Sequence, residues 1–304
     1  MMERCLVIGG FGFIGGSIAA HLRDNNFDVK IVDSRTESSS FKYDSVNSFN
    51  KYAHKLDSKD VKDIDTIFHF GSPCSVVEFK ERPVESMKNT LEGFIRVMEL
   101  ARVHGFSVVY PSSGNIYPSV FGDEASKETQ AGSPNNLYAI AKITEENIAM
   151  YYKKNHGVVS TGLRIFAGYG MGEENKGKLA SVVTHFARSI LKGDKVVVWG
   201  SGEQRRDFVF INDVVSLAVK SALHQKPAIL NVGSGTSHSY NELISLIATA
   251  AGVSNPKIEH MGKPADYVEN TMADISLATE LHGFKPTSLV QGLKEYVGYL
   301  SKIL

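Results

Sequence analysis

The chain has 304 residues, and its 33 lysines and arginines balance its 33 aspartates and glutamates. This length can form one large α/β unit or a main domain that carries a smaller one. The balanced charge argues against a nucleic acid or an anionic membrane as a partner, and it favours a small neutral or anionic ligand in a local pocket.

The two cysteines, Cys5 and Cys74, both stand beside apolar residues, which predicts core positions rather than a disulfide framework or a zinc site. A reducing, cytoplasmic location is therefore expected, with no metal. The apolar run within residues 1–16 is interrupted by glycines too early for a signal peptide. The sequence contains no run of about 18 apolar residues, so no membrane span is predicted.

Short apolar runs alternate with amphipathic segments through the first half of the chain. The runs have the length and the β-branched or aromatic content of strands that are buried on both faces of a parallel sheet. They cover residues 5–8, 29–32, 66–70, 107–110 and 161–165, and helical patterns lie between them at residues 15–25, 83–104 and 137–156. This alternation predicts an α/β fold with a doubly wound parallel sheet and right-handed crossovers.

The alternation of predicted strands and helices ends after residue 166, where a loop that contains several glycines follows. We predict a Rossmann domain at residues 1–166 and a smaller substrate lobe at residues 167–304. Two strand-like runs, residues 208–211 and 229–232, are expected to return to the edge of the main sheet, so that segment 208–236 belongs with the first domain.

The first predicted strand runs directly into a turn with glycines at three-residue intervals, Gly9, Gly12 and Gly15, and then into a helix. Side chains at these points would block the tight turn, the approach of the backbone to a pyrophosphate, or the packing of helix on strand. The helix N-terminus supplies N–H donors and partial positive charge to phosphates. Strand, turn and helix in this order predict a dinucleotide site.

Asp33 ends the second predicted strand, about 20 residues beyond the glycines, where a carboxylate can accept hydrogen bonds from the adenosine ribose. A carboxylate there would repel a 2′-phosphate, which favours NAD over NADP. The nearby Arg35 could soften that exclusion, so NADP stays open. The alternative is that Asp33 is only a turn residue that caps the next segment of the chain.

Tyr138 and Lys142 are four residues apart in a helical pattern, so they share one face. A nearby ammonium lowers the pKa of a tyrosine, whose usual value of about 10 is too high for a base at neutral pH. Such a pair can remove a proton from a hydroxyl while hydride leaves the same carbon. Ser113 follows the fourth predicted strand at its carboxyl end, where a hydroxyl can orient the reacting oxygen, although serine there is often only a turn residue.

The glycine turn, Asp33, the run from Ser112 to Tyr117 and the pair Tyr138 and Lys142 occur in an order that resembles the extended short-chain dehydrogenase/reductase family. Within it the chain is similar to the sugar-nucleotide epimerases and dehydratases, particularly those that are UDP-glucose 4-epimerase-like. Further matching segments cover residues 67–72, 89–93, 163–166, 200–208, 211–214, 231–233 and 284–286.

The resemblance implies a role for each matching residue, with NAD as the cofactor. Ser113 polarises the reacting oxygen, Tyr138 is the acid and base, and Lys142 lowers the tyrosine pKa and holds the nicotinamide ribose. The cofactor contacts implied, besides Tyr138 and Lys142, are Gly9, Gly12, Phe13, Ile14, Gly15, Asp33, Arg35, Asp57 (at the adenine), Phe70, Gly71, Ser72, Asn89 and Phe166. The substrate contacts implied are Ser113, Asn115, Arg206 at the diphosphate, and Lys263. Without the family pattern, Arg206 would be interpreted as a solvated surface arginine.

Three departures from the family pattern bear on the reaction. Gly114 and Asn115 stand where the dehydratases have an acidic pair, and the decarboxylating members use a glutamate in the same stretch, so elimination and decarboxylation are disfavoured. Ala167 replaces an asparagine that contacts the substrate phosphate. Lys263 stands where a second phosphate-binding arginine is expected, and it keeps the charge but loses the fork geometry.

These residues favour a redox-neutral nucleotide-sugar epimerase that acts through a transient keto sugar, most simply at C4. The first alternative is an NAD(P)-dependent keto-sugar reductase or another secondary-alcohol dehydrogenase with net turnover of the cofactor. A non-catalytic dinucleotide-binding sensor is the third hypothesis. By resemblance, the helices at residues 83–104 and 137–156 form a two-fold interface, so we expect a homodimer.

Overall fold

The computed structural model describes residues 2–38, 40–41, 46–120, 124–130, 134–174, 176–263 and 267–304. Its strands are β1 (Arg4–Ile8), β2 (Asp28–Asp33), β3 (Asn47–Asn50), β4 (Thr66–His69), β5 (Ser107–Ser113), β6 (Ser160–Ile165), β7 (Ala167–Tyr169), β8 (Val196–Trp199), β9 (Arg205–Phe210), β10 (Ile229–Val232), β11 (Ser237–Ser239) and β12 (Ile258–Met261). Its α-helices are α1 (Phe13–Asp24), α2 (Val76–Glu81), α3 (Pro83–His104), α4 (Leu137–His156), α5 (Val182–Lys192), α6 (Ile211–His224), α7 (Tyr240–Ala251), α8 (Ser276–His282) and α9 (Leu289–Ile303).

Seven parallel strands form the main sheet in the order β10-β6-β5-β4-β1-β2-β3. The predicted doubly wound α/β fold is confirmed. The chain moves from β1 toward β3 on one side and from β4 toward β10 on the other, so the order reverses between β1 and β4. Open sheets of this kind bind ligands beyond the carboxyl ends of the strands at such a reversal.

Helices cover both faces of this sheet because side chains alternate along each strand. In β1, Cys5 and Val7 belong to a hydrophobic cluster that includes residues of α1 and α6. Leu6 and Ile8 belong to a second cluster that includes residues of α3 and α4. The near-continuous apolar run of β1 therefore reflects burial on both faces, as its composition predicts.

The C-terminal part of the chain adds two small sheets, β7 with β9 and β11, and β8 with β12. Residues 229–232 form β10 and pair with β6 in the main sheet. The expected return of residues 208–211 to that sheet is wrong, because β10 occupies the edge of β6 and β9 pairs with β7 instead. The division into two domains stays a prediction. Within the described ranges, no helix is both long and apolar enough to cross a bilayer.

Candidate active site

A cleft of about 1300 Å³ opens at the carboxyl ends of the strands and extends to residues of the C-terminal part. It collects most of the predicted site residues, although they come from distant parts of the sequence. Those in the lining are Gly9, Gly12, Phe13, Ile14, Gly15, Asp33, Arg35, Phe70, Gly71, Ser72, Asn89, Ser113, Asn115, Tyr138, Lys142, Phe166 and Arg206. Two predicted contacts, Asp57 and Lys263, are not among the cleft-lining residues that the structure describes.

The glycine turn is closed so tightly that side chains cannot replace its hydrogens. Gly9 has a φ of 81°, and a Cβ there would collide with the carbonyl of Phe70. A Cβ on Gly15 would collide with the carbonyl of Gly9. Gly12 is the N-cap of α1 and offers no side chain to the first-turn N–H groups, which have no acceptor within the helix. This cradle fits a dinucleotide pyrophosphate.

Asp33 is 4% exposed, and its carboxylate holds the glycine turn in place through a backbone N–H group of that turn. Its carboxylate accepts a hydrogen bond of 2.9 Å from the backbone N–H of Phe11. The Arg35 guanidinium donates to both oxygens of the same carboxylate at 3.0 Å, from Nε and from a terminal nitrogen. Arg35 is thus engaged by the carboxylate that would repel a 2′-phosphate, which favours NAD as the sequence predicts.

Helix α4 is fixed to the sheet by a buried ion pair that the sequence reasoning missed. Glu146 accepts hydrogen bonds from Arg164 at 2.9 and 2.8 Å and from the Ser112 hydroxyl at 2.5 Å. Arg164 also donates to the Tyr117 hydroxyl at 2.6 Å. The helix begins at an Asn136 N-cap whose side chain accepts from the Ala139 N–H. These contacts position the cleft-facing residues of α4.

Tyr138, Lys142 and Ser113 all line the cleft, as the sequence predicts. The Lys142 ammonium lies 5.9 Å from the centre of the Tyr138 ring. It donates to Glu145 at 2.8 Å and to the Ser72 hydroxyl at 3.4 Å. The lysine and glutamate side chains are 2% and 1% exposed, so their ion pair is almost fully removed from water.

The buried charges around Tyr138 act in opposite directions. Burial raises the pKa of Tyr138, Lys142 and Ser113 lower it, and Cys74 and Glu145 raise it further, so the pKa stays above its ordinary value. Burial lowers the pKa of Lys142, but Glu145 and Tyr138 outweigh burial and leave this pKa raised. Lys142 lowers the tyrosine pKa, as the sequence predicts, but in the protein alone burial and the acidic neighbours of Tyr138 outweigh the ammonium.

Aromatic side chains surround the predicted diphosphate-binding arginine. The Arg206 guanidinium lies 5.7 Å from the ring centre of Tyr240 and 5.1 Å from that of Tyr267, and both rings also line the cleft. The two tyrosine hydroxyls are 3.0 Å apart. Lys263 forms an ion pair with Glu269 instead of lining the cleft. No sequence motif indicates the two tyrosines, since only the fold brings them to Arg206.

One further prediction differs from the structure. Cys74 is exposed and lines the cleft, whereas Cys5 is buried as predicted. The strand β4 ends at His69, and Cys74 lies in the loop before α2, so the apolar residues beside Cys74 do not continue a core strand. Asp57 accepts from the Lys59 N–H at 2.8 Å and lies 3.9 Å from Lys51, so it caps a local turn, and its contact with the adenine stays a prediction.

The comparisons with known proteins all indicate the same family of nucleotide-sugar enzymes. The model of the NAD dependent epimerase/dehydratase family matches residues 5–233. A candidate UDP-glucose 4-epimerase of Methanocaldococcus jannaschii is 30% identical, with 97% of each chain covered. A UDP-N-acetyl-α-D-glucosaminuronate decarboxylase of Bacillus cytotoxicus is 28% identical, with 100% of this chain and 99% of the relative covered. The crystal structure of a Thermus thermophilus UDP-glucose 4-epimerase in complex with NAD is 25% identical, with a TM-score of 0.87 and coverage of 99% of this chain and 100% of that chain.

Proposed function

Because the chain belongs to the NAD-dependent epimerase/dehydratase family, we propose that it is a nucleotide-sugar 4-epimerase that acts through a transient keto sugar. The observation that carries this proposal is the presence of Ser113, Tyr138 and Lys142 in the same cleft as the glycine cradle. The cofactor of the family is NAD, and when bound it supplies a hydride acceptor beside these side chains.

The residues of the chain itself perform the proton chemistry. Tyr138 removes the proton from the reacting hydroxyl and later returns it to the keto oxygen. Ser113 orients that oxygen toward the phenol. Lys142 provides the positive charge that favours the phenolate, and the ion pair with Glu145 holds the ammonium in place. The glycine cradle at the start of α1 would hold NAD, which would supply the hydride chemistry of an epimerase without net turnover.

The surroundings of Gly114 support epimerisation over elimination or decarboxylation. Gly114 and Asn115 take the places of the acidic groups that those reactions use by resemblance. A Cβ on Gly114 would lie only 3.0 Å from the Phe166 ring, so the packing leaves little room for an acidic side chain there. Within the three-residue turn after β5, the chain therefore supplies no carboxylate.

The substrate is proposed to be a nucleoside diphosphate sugar. Arg206 places a guanidinium in the cleft, and its planar fork suits the oxygens of a diphosphate. Ala167 also lines the cleft, where the family pattern has an asparagine, and this loss of a polar contact favours the second candidate function, a keto-sugar reductase or secondary-alcohol dehydrogenase. Both functions use the same three catalytic side chains.

One experiment separates these functions. The purified protein is incubated with UDP-, GDP-, dTDP- and CDP-sugars, and NMR follows the stereochemistry while absorbance follows NADH. Inversion at C4 without added NAD and without net NADH supports the epimerase. Reduction of a keto sugar with consumption of NADH would instead establish the reductase, and carbon dioxide release from a nucleotide uronic acid would establish a decarboxylase.

Replacing Tyr138 by phenylalanine tests the catalytic assignment. The Tyr138→Phe variant should lose on the order of 10²- to 10⁴-fold in kcat, because the proton acceptor is gone, while NAD binding persists. Tyr151→Phe is the matched control, since Tyr151 lies on α4 but is 56% exposed. Unchanged turnover in Tyr138→Phe would remove this mechanism, and absence of turnover from the wild type with every substrate would favour the sensor.

A homodimer and a cytoplasmic location belong to the same proposal. Helices α3 and α4 pack together, and each exposes apolar side chains, including Ile95 at 42% and Met150 at 51%. A second copy of the chain would cover such a face by two-fold symmetry. The cysteine usage supports a reducing compartment, since Cys5 and Cys74 are both free thiols.

A further inference from the structure

Lys176 brings a positive charge from the C-terminal part of the chain to the glycine turn. It lines the cleft, and its ammonium lies 5.4 Å from the centre of the Phe13 ring. Phe13 is the first residue of α1, whose N-terminus forms the pyrophosphate cradle. The sequence gives no motif for this lysine, because it follows Phe13 by more than 160 positions.

The ammonium of Lys176 is available to a ligand. Its nearest carboxylate oxygen belongs to Glu173 at 3.7 Å. That carboxylate already accepts hydrogen bonds from the Ser181 N–H at 2.8 Å, the Ser181 hydroxyl at 2.7 Å and the Thr184 hydroxyl at 2.6 Å. By contrast, three other cations that line the cleft, Arg35, Lys51 and Lys142, each have a carboxylate oxygen within 3.0 Å.

The backbone at Gly172, four residues before Lys176, is held against the first half of the chain. The Ser40 hydroxyl donates to the carbonyl of Gly172 at 3.1 Å. Gly172 has a φ of 94°, and a Cβ there would come within 3.5 Å of the Phe13 ring. The buried Glu173 then fixes the start of α5 through Ser181. Lys176 therefore approaches the cradle on a backbone that is tied down on both sides.

We propose that Lys176 donates a charge-assisted hydrogen bond to the diphosphate of the bound dinucleotide. This inference rests on the proposed function, because it takes the cradle to be the NAD site. The first-turn N–H groups of α1 then bind the diphosphate from one side and Lys176 from another. The C-terminal part of the chain holds the cofactor as well as the substrate, which suits an enzyme that must keep its NAD through the reaction.

The test compares Lys176→Met, which removes the charge at similar length, with Lys178→Met. Lys178 is exposed and two residues away, and it does not belong to the described cleft lining. Calorimetry measures the Kd of NAD and of ADP-ribose, which shares the diphosphate but lacks nicotinamide. We expect both Kd values to rise about tenfold in Lys176→Met, the loss of one hydrogen bond to a charged group. Lys178→Met should change them by less than about threefold.

The remaining outcomes are equally decisive. An NAD affinity in Lys176→Met that equals that of the wild type overturns the assignment, as does an equal loss in Lys178→Met. Weaker binding of the preferred nucleoside diphosphate, with ADP-ribose unaffected, would also overturn it, since the cation would then serve the substrate. A wild type that binds neither NAD nor ADP-ribose would refute the proposed function itself. Thermal unfolding of each variant verifies that it is folded.

Discussion

Replacing Glu145 by glutamine should move the acid limb of the pH–activity profile to lower pH. The Glu145 carboxylate lies 2.8 Å from the Lys142 ammonium, which lies 5.9 Å from the centre of the Tyr138 ring. These distances place the carboxylate within about 9 Å of the centre of that ring. At an effective dielectric of about 20, two unit charges at that separation repel each other by about 2 kcal/mol. This repulsion corresponds to roughly 1.4 pKa units. Removing this repulsion favours the phenolate.

The expected shift in the NAD-loaded enzyme is about one pH unit, since side-chain relaxation reduces the full electrostatic value. Activity that depends on the phenolate rises with pH through the tyrosine pKa, so a lower pKa moves that limb down. The basic limb should move down as well, because Lys142 loses the anion that raises its pKa. The assay is kcat and kcat/KM against pH, at a temperature below the unfolding transition.

Glu146→Gln is the matched control because Glu146 is the next residue, is also buried, and pairs with Arg164 rather than Lys142. Both variants leave a buried cation without its partner and should lower the free energy of unfolding by about 3–5 kcal/mol. Only Glu145→Gln should move the acid limb. A folded, NAD-loaded Glu145→Gln whose acid limb stays in place or moves to higher pH would refute the electrostatic reasoning.

Two further predictions concern the cofactor and the assembly. Asp33→Asn should raise the ratio of NADP affinity to NAD affinity about tenfold, because the negative charge is lost and Arg35 is released to bind a 2′-phosphate. Titration of the protein with each cofactor measures this ratio. The control variant Asp28→Asn, on the same strand, should leave the ratio unchanged. Ile95→Glu should convert the proposed homodimer to a monomer, as measured by light scattering. The control variant Val290→Glu, at a 60% exposed site on α9, should leave the dimer intact. A wild-type protein that is a monomer would contradict the proposed interface.

Helices α3 and α4 could be predicted to the residue because their end signals are local. Helix α3 begins with Pro83 and ends before Gly105, and α4 ends before Gly157; both glycines have a positive φ, of 79° and 69°. These signals act within a few residues, so no tertiary contact is needed to interpret them. The resemblance to the extended short-chain dehydrogenase/reductase family is also confirmed. The motifs that carry it are short local runs, so they too can be recognised without the fold.

Features that depend on distant partners and have no local sequence signal of their own could not be predicted. Strand β3 is polar and exposed along its whole length, and it is a strand only because its backbone pairs with β2. Strand β9 is apolar enough for the main sheet, yet β10 fills the available edge. Lys176 and Tyr267 reach the cleft only through the fold, so the sequence indicates the cofactor cradle better than the groups that surround it.

Two pairs of identical neighbours show how the fold divides site from scaffold. Side chains alternate along β5, so that the Ser112 hydroxyl contacts Glu146 while the Ser113 hydroxyl contacts Tyr138. Glu145 and Glu146 differ by about 100° around α4, so that one carboxylate holds Lys142 and the other holds Arg164. A shift of either element by one residue would exchange these partners. The buried contact between Ser112, Glu146 and Arg164 therefore fixes the register on which the proposed chemistry of Ser113 and Lys142 depends.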